Sequence, residues 1–201
     1  MDVPFSYFID FLLAAGTSRV VTAAKQAREA RGIPFDLYRP FKVVAVDVAA
    51  GKLQDSALDA LVEHQQDRLA RKHYPPLVKG MRSFLRRMAR AGATYQAPPA
   101  PVSYPLPLGY AVSVNPELGF VIDGALHIVK LYCRMEPLDR ARVEMSCGVL
   151  AASFGRALPS ARYAVLAVRE GKLCTAPDAA VARAMRAAKI DGGTYAAHRE
   201  G

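Results

Sequence analysis

Residues 114–132, VNPELGFVIDGALHIVKLY, decide the fold. Two alternating apolar runs flank Asp123-Gly124. Asp-Gly in that setting is a strong hairpin signal, because a type I′ turn needs positive φ at both central residues. With these two as the loop, the register follows. Ile122 faces Ala125, Val121 faces Leu126, Phe120 faces His127, Gly119 faces Ile128, Leu118 faces Val129, and Glu117 faces Lys130. Side chains alternate between sheet faces, so Glu117, Gly119, Val121, Leu126, Ile128 and Lys130 share one side. Leu118, Phe120, Ile122, His127, Val129 and Leu131 share the other. Glu117 and Lys130 are thus directly opposed, with Cβ atoms about 5 Å apart. Two readings stand: a cross-strand ion pair without chemistry, or part of a metal-binding hairpin.

Outward from the hairpin, the period is 2 on both sides. Tyr110–Val114, Glu117–Ile122 and Ala125–Cys133 read as three strands. Pro137 opens a helix through Val143, Val149, Leu150 and Phe154 that ends near Gly155. The run 161–168, ARYAVLAV, is a buried strand, and Gly171 turns it towards Lys172–Cys174. Residues 178–190 form a last amphipathic helix, and the final ten residues are expected to fray. The order is β-β-β-α-β, an α/β (α+β) core with a mixed sheet spanning 108–201.

Residues 1–97 are helical and basic instead. Phe5, Phe8, Ile9, Leu12 and Leu13 recur at three-and-four spacing and predict a buried first helix. Gly16 ends it, and Thr17 or Ser18 caps a second helix running towards Arg31. Residues 38–50 are ambiguous between strand and helix. Asp55 or Ser56 opens a helix through Leu58, Leu61 and Val62, and another begins after Pro75-Pro76 and continues to about Arg90. Between the halves, 98–107 is a proline-rich connector, excluded from helix interiors and central strands.

The β-β-β-α-β order, with an acid at the head of the second strand and a lysine on the third, resembles the PD-(D/E)xK, or restriction-endonuclease-like, nuclease superfamily. Asn115-Pro116-Glu117 stands in place of the Pro-Asp element and Ile128-Val129-Lys130 in place of (Asp/Glu)-x-Lys. The resemblance covers roughly residues 108–170. It implies a Mg²⁺ held by acids including Glu117, with Lys130 positioning or activating the attacking water. The chain departs from that pattern at Ile128, where isoleucine replaces the second metal-binding carboxylate. That leaves an ion pair without chemistry, a degenerate nuclease site that keeps a binding role, or a working Mg²⁺-dependent site with a relocated acid. Glu144, on the following helix, is the available substitute, while Glu136 and Asp139 fall where a helix cap and dipole use them.

The 201 residues carry 27 Lys+Arg against 18 Asp+Glu, a net charge of +9 that favours polyanionic partners. Residues 68–90 hold eight basic residues and no acid. Lys79, Arg82, Arg86 and Arg90 recur at three-or-four spacing with Arg87 adjoining, and Leu77, Met81, Phe84, Leu85 and Met88 take another side. That pattern suits phosphate contacts with nucleic acid, or equally a solvated face on a core-packed helix. Docking of an acidic protein partner is the competing function, and lying on anionic lipid a weaker one.

Tyr95, Tyr104 and Tyr110 bracket the connector, as base-stacking rings or as cover for a core edge. His127 reads as a packed histidine, and His64, His73 and His198 lack ligand spacing. Cys133, Cys147 and Cys174 form no C-x-x-C pair, which disfavours zinc or a disulfide framework and fits a reducing cytoplasm. The apolar N-terminus contains Asp2 and Asp10 and no basic n-region, and its apolar run is too short to span a bilayer, so neither secretion nor membrane insertion is expected. P-loop, Rossmann, zincin and serine-hydrolase motifs are absent.

Overall fold

The computed structural model describes residues 2–29, 37–64 and 66–200. In chain order the elements begin with β1 (Asp2–Pro4), α1 (Phe5–Leu13), α2 (Thr17–Glu29), α3 (Arg39–Ala49), α4 (Ser56–Glu63) and α5 (Arg68–Arg90). The strands β2 (Thr94–Tyr95), β3 (Val102–Pro105), β4 (Ala111–Val114), β5 (Leu118–Ile122) and β6 (Ala125–Tyr132) follow. The chain continues with α6 (Arg140–Phe154), β7 (Arg162–Ala167), a single 3₁₀ turn (Val168–Glu170), β8 (Lys172–Thr175) and α7 (Asp178–Glu200). Among the described residues this is a mixed α/β protein with seven α-helices and two mixed sheets.

The hairpin forms in the register its sequence dictates. Leu118 pairs with Val129, Gly119 with Ile128, Phe120 with His127, and Ile122 with Ala125. Asp123 and Gly124 both have positive φ, 49° and 75°, as the I′ turn requires. The Glu117 N–H donates to the Val129 carbonyl at 3.1 Å, extending the ladder one step towards Lys130. The larger sheet runs β2-β5-β6-β7-β8. Its β6–β7 pair is parallel and is connected through α6.

The predicted first strand of the core exists but belongs elsewhere. β4 pairs with β1 in parallel and with β3 antiparallel, forming a separate three-stranded sheet. Pro116 has no N–H to donate, so the ladder cannot run on from Val114 into the hairpin. β3 arises inside the proline-rich connector, which was expected to be merely extended. It is an edge strand, where proline is tolerated.

Helices cover both faces of the larger sheet. On the Leu118/Phe120/Val129/Leu131 face, a core gathers Phe41 and Ala45 of α3, Leu58 of α4, and Tyr74, Leu77, Met81 and Phe84 of α5. Phe84 meets Phe120 edge-on at 5.5 Å. Burying each such side chain is worth about 1.5–3 kcal/mol. The other face carries α6, whose Val143 and Cys147 pack on Val165. A further core joins α1 and Ala23 of α2 to β1, β4, α6 and α7, so both sides of the connector share their hydrophobic interiors.

The helix-to-strand ambiguity at 38–50 resolves to α3, with Phe41 and Ala45 buried one turn apart. α5 starts a full two turns before the predicted point. Asp67 caps it, its carboxylate accepting the Ala70 N–H at 2.8 Å, and Pro75-Pro76 lie inside the helix. Prolines there remove two backbone hydrogen bonds. Burial of Ala70 and Tyr74 before the prolines and of Leu77 and Met81 after them outweighs that cost. At Gly80 the backbone crosses the 3₁₀ turn so closely that a Cβ would sit 1.8 Å from the Val168 carbonyl oxygen. The C-terminal ten residues do not fray as expected. α7 runs through 192–200, with Tyr195 fully buried, edge-on to Phe11 at 4.7 Å and donating its hydroxyl to Gln26. The predicted extension of α2 to Arg31 lies outside the described residues.

Candidate functional site

Glu117 follows Asn115-Pro116 and immediately precedes β5, and Lys130 lies opposite it on β6. The Lys130 ammonium donates to Glu117 Oε1 at 2.7 Å and to the Asn115 carbonyl. Glu117 Oε2 accepts the Leu131 N–H at 2.9 Å. A second ammonium, that of Lys42 on α3, stands 3.7 Å from Oε1. Glu117 is 8% exposed, so this is a buried carboxylate with both oxygens engaged. The Lys130 ammonium also sits 5.5 Å from the Phe5 ring.

The pair opens onto a cleft of about 1050 Å³ between α1, α3, β6 and α6. Five cationic side chains line it, Arg39, Lys42, Lys130, Arg134 and Arg142, against two carboxylates, Glu117 and Asp47. Asp47 lies 3.5 Å from the Lys52 ammonium.

A hard cation such as Mg²⁺ needs several oxygen ligands. Glu117 offers two oxygens already bonded to donors, and two ammonium groups lie within 4 Å of one of them. Ile128, where the nuclease pattern has its second acid, is fully buried. Among the described residues no three His, Cys, Asp or Glu side chains converge. This donor set does not fit Mg²⁺.

Glu144 does not come to Glu117. It accepts from Arg140 at 2.7 Å, and Arg183 on α7 lies 4.0 Å away. Its helix neighbours Arg142 and Ser146, four residues apart and on one face, line the cleft instead. Glu144 projects from a different side of α6. Asp139 caps α6 as expected, accepting the Arg142 N–H at 2.7 Å.

The α5 basic residues divide. Lys79, Arg86, Arg87 and Arg90 are exposed and line a groove of about 610 Å³ between α4 and α5. Arg82 is committed: its guanidinium donates to Asp55 at 2.7 Å and to both oxygens of Asp59 at 2.6 and 2.7 Å. That hydrogen bonding holds the Asp59 carboxyl below its ordinary range and raises Arg82.

His127 is buried, with Nδ1 3.0 Å from the Ala125 carbonyl, the packed role its sequence context suggests. Nδ1 of His73 is 2.9 Å from Arg169 Nη2 and accepts from it, since a guanidinium only donates. Desolvation, then the charges of Arg169 and Lys72, lower the His73 pKa.

Sequence reasoning missed the far end of the cleft. Asp10 of α1 takes Arg134 in a two-pronged pair, at 3.1 and 2.9 Å, and Arg142 at 2.6 Å. No periodicity marks these residues, since 124 and 132 positions separate the partners. No helix among the described residues is long and apolar enough to cross a membrane. No protein-family model matches the chain, and no curated protein is detectably similar to it.

Proposed function

We propose that this chain binds nucleic acid through the α4–α5 groove and that its core is a restriction-endonuclease-like scaffold with a degenerate, non-hydrolytic centre. The observation that carries the reading is the groove's charge. Lys79, Arg86, Arg87 and Arg90 point to solvent along it, while of its two acids Asp59 is occupied by Arg82 and only Glu63 is left to oppose them. A set of exposed cations spaced along one helix is suited to successive phosphates, and each contact releases condensed counterions. The loss of hydrolysis follows from Glu117, whose charge is met by Lys130 and Lys42 before any metal could use it.

The test is fluorescence anisotropy with single- and double-stranded DNA and RNA at two salt concentrations. Four phosphate contacts weaken affinity about a hundredfold between 50 and 200 mM salt. Replacing the four groove cations by Gln abolishes that dependence. No binding at the lower salt would discard this reading in favour of an acidic protein partner. In parallel, incubation with Mg²⁺ is expected to give no more cleavage than the Lys130→Ala variant. Cleavage that depends on both Mg²⁺ and Lys130 would overturn the degenerate assignment.

A further inference from the structure

We propose that the cleft is a second, separate site that takes a phosphomonoester, seated on Arg134 and Arg142. It shares no lining residue with the α4–α5 groove, so it stands independently of polymer binding there. One carboxylate, Asp10, holds both guanidiniums: two nitrogens of Arg134 at 3.1 and 2.9 Å and one of Arg142 at 2.6 Å. The three groups together keep one net positive charge. Asp10 also fixes the orientation of both forks, so little side-chain entropy remains to be lost when a ligand docks. Nε of Arg134, and Nε and Nη2 of Arg142, make no hydrogen bond among the described residues. These are forked donors on a partly desolvated wall, with side chains 32% and 19% exposed.

The chemistry favours phosphate over carboxylate. A phosphomonoester dianion offers three oxygens to several forked N–H groups at once, and such charge-assisted contacts are the strongest hydrogen bonds available here. The cleft is also large for an anion alone. Its volume of about 1050 Å³ is at the upper end for small-molecule sites. Phe5, Tyr7 and Tyr38 supply apolar and aromatic wall beyond the arginines. The organic part of the ligand lies there, and the Lys42 and Lys130 ammonium groups at the Glu117 end keep the whole cleft cationic.

Isothermal titration at constant ionic strength tests this with inorganic phosphate, a nucleoside 5′-monophosphate, a hexose phosphate and acetate. Phosphate and at least one monoester bind saturably, and acetate does not. The monoester that binds more tightly than inorganic phosphate identifies which organic group fits the cleft. Arg142→Lys keeps the charge beside Asp10 but loses the fork, and weakens binding about tenfold or more. Arg134→Lys does the same and decides the matter should Arg142→Lys not fold. The double variant Arg86→Gln/Arg87→Gln, in the α4–α5 groove, leaves the titration unchanged. Absence of saturable binding by any phosphate overturns the site. So do unaltered affinity in both lysine variants and a loss that follows the α5 residues.

Discussion

The hairpin pair and the α5 face carry the same kinds of charged side chain under opposite conditions. At the hairpin, Glu117 and Lys130 are almost out of water, their side chains 7% and 14% exposed, and each has its partner within 2.7 Å. On α5, Lys79, Arg86, Arg87 and Arg90 stand in solvent without an equal number of acids. A buried charge must be matched inside the protein, which leaves little of it to act on a ligand. An exposed, unmatched charge contributes little to stability and remains available to bind an anion. Burial and matching, not residue type, separate these two sets of charge, and Arg134 and Arg142, two guanidiniums sharing the one carboxylate of Asp10, fall between them.

The largest effect should come from breaking the buried pair. Glu117→Gln takes the carboxylate charge away from the buried Lys130 ammonium and is expected to cost about 3–5 kcal/mol in urea unfolding. Glu117→Leu combined with Lys130→Met removes both charges and should recover much of that loss. A single-variant cost below about 1 kcal/mol would place the pair with ordinary surface bridges and erase the contrast.

The two sides of α5 make the same comparison within one helix. Phe84→Ala empties a fully buried position against Phe120 and is expected to cost about 3–5 kcal/mol. Arg86→Gln with Arg87→Gln, close by on the exposed side, should change stability by no more than about 0.5 kcal/mol. The same double variant should lower the salt slope of nucleic-acid binding by about two. Stability loss without a change in slope would mean that these arginines serve packing.

Much of this contrast is legible in the sequence, for local reasons. The Asp-Gly turn and the period of two set the hairpin register, because a slip of one residue would turn Phe120 and Val129 out of the core. The acid-free run from Arg68 to Arg90 likewise identifies the basic face without any knowledge of tertiary structure. What is not legible depends on which distant element arrives. Arg82 has the same spacing as Arg86 and Arg90, yet α4 brings Asp55 and Asp59 to it. Glu144 was a reasonable substitute ligand by position, but α7 sits against its side of α6 and Arg142 takes the cleft. Pro75-Pro76 reads as a helix opening, whereas α5 starts at Arg68, because the burial of Tyr74 that carries the helix through the prolines is a tertiary fact. The strand predicted at Tyr110–Val114 forms as β4, but its partners β1 and β3 come from segments whose sequence reads as helix start and proline linker.

Arg82 gives the smallest effect and the sharpest internal control, since it belongs to the α5 row yet is matched like the hairpin lysine. Its hydrogen bonds hold Asp59 below the ordinary carboxyl range. A depressed carboxyl contributes stability that is fully present above its unfolded value, near 4, and is lost as pH falls through the lower folded value. Arg82 itself is raised, and its own contribution would be lost only at strongly alkaline pH. Wild-type protein should therefore lose a small increment of stability below about pH 4 that Arg82→Gln lacks, with the two acid-unfolding curves running parallel above it. Asp59 is open to solvent, so molar salt should shrink the difference, whereas the cost of Glu117→Gln should respond to salt far less. Equal salt sensitivity in both variants would show that burial is not what separates the two classes of charge.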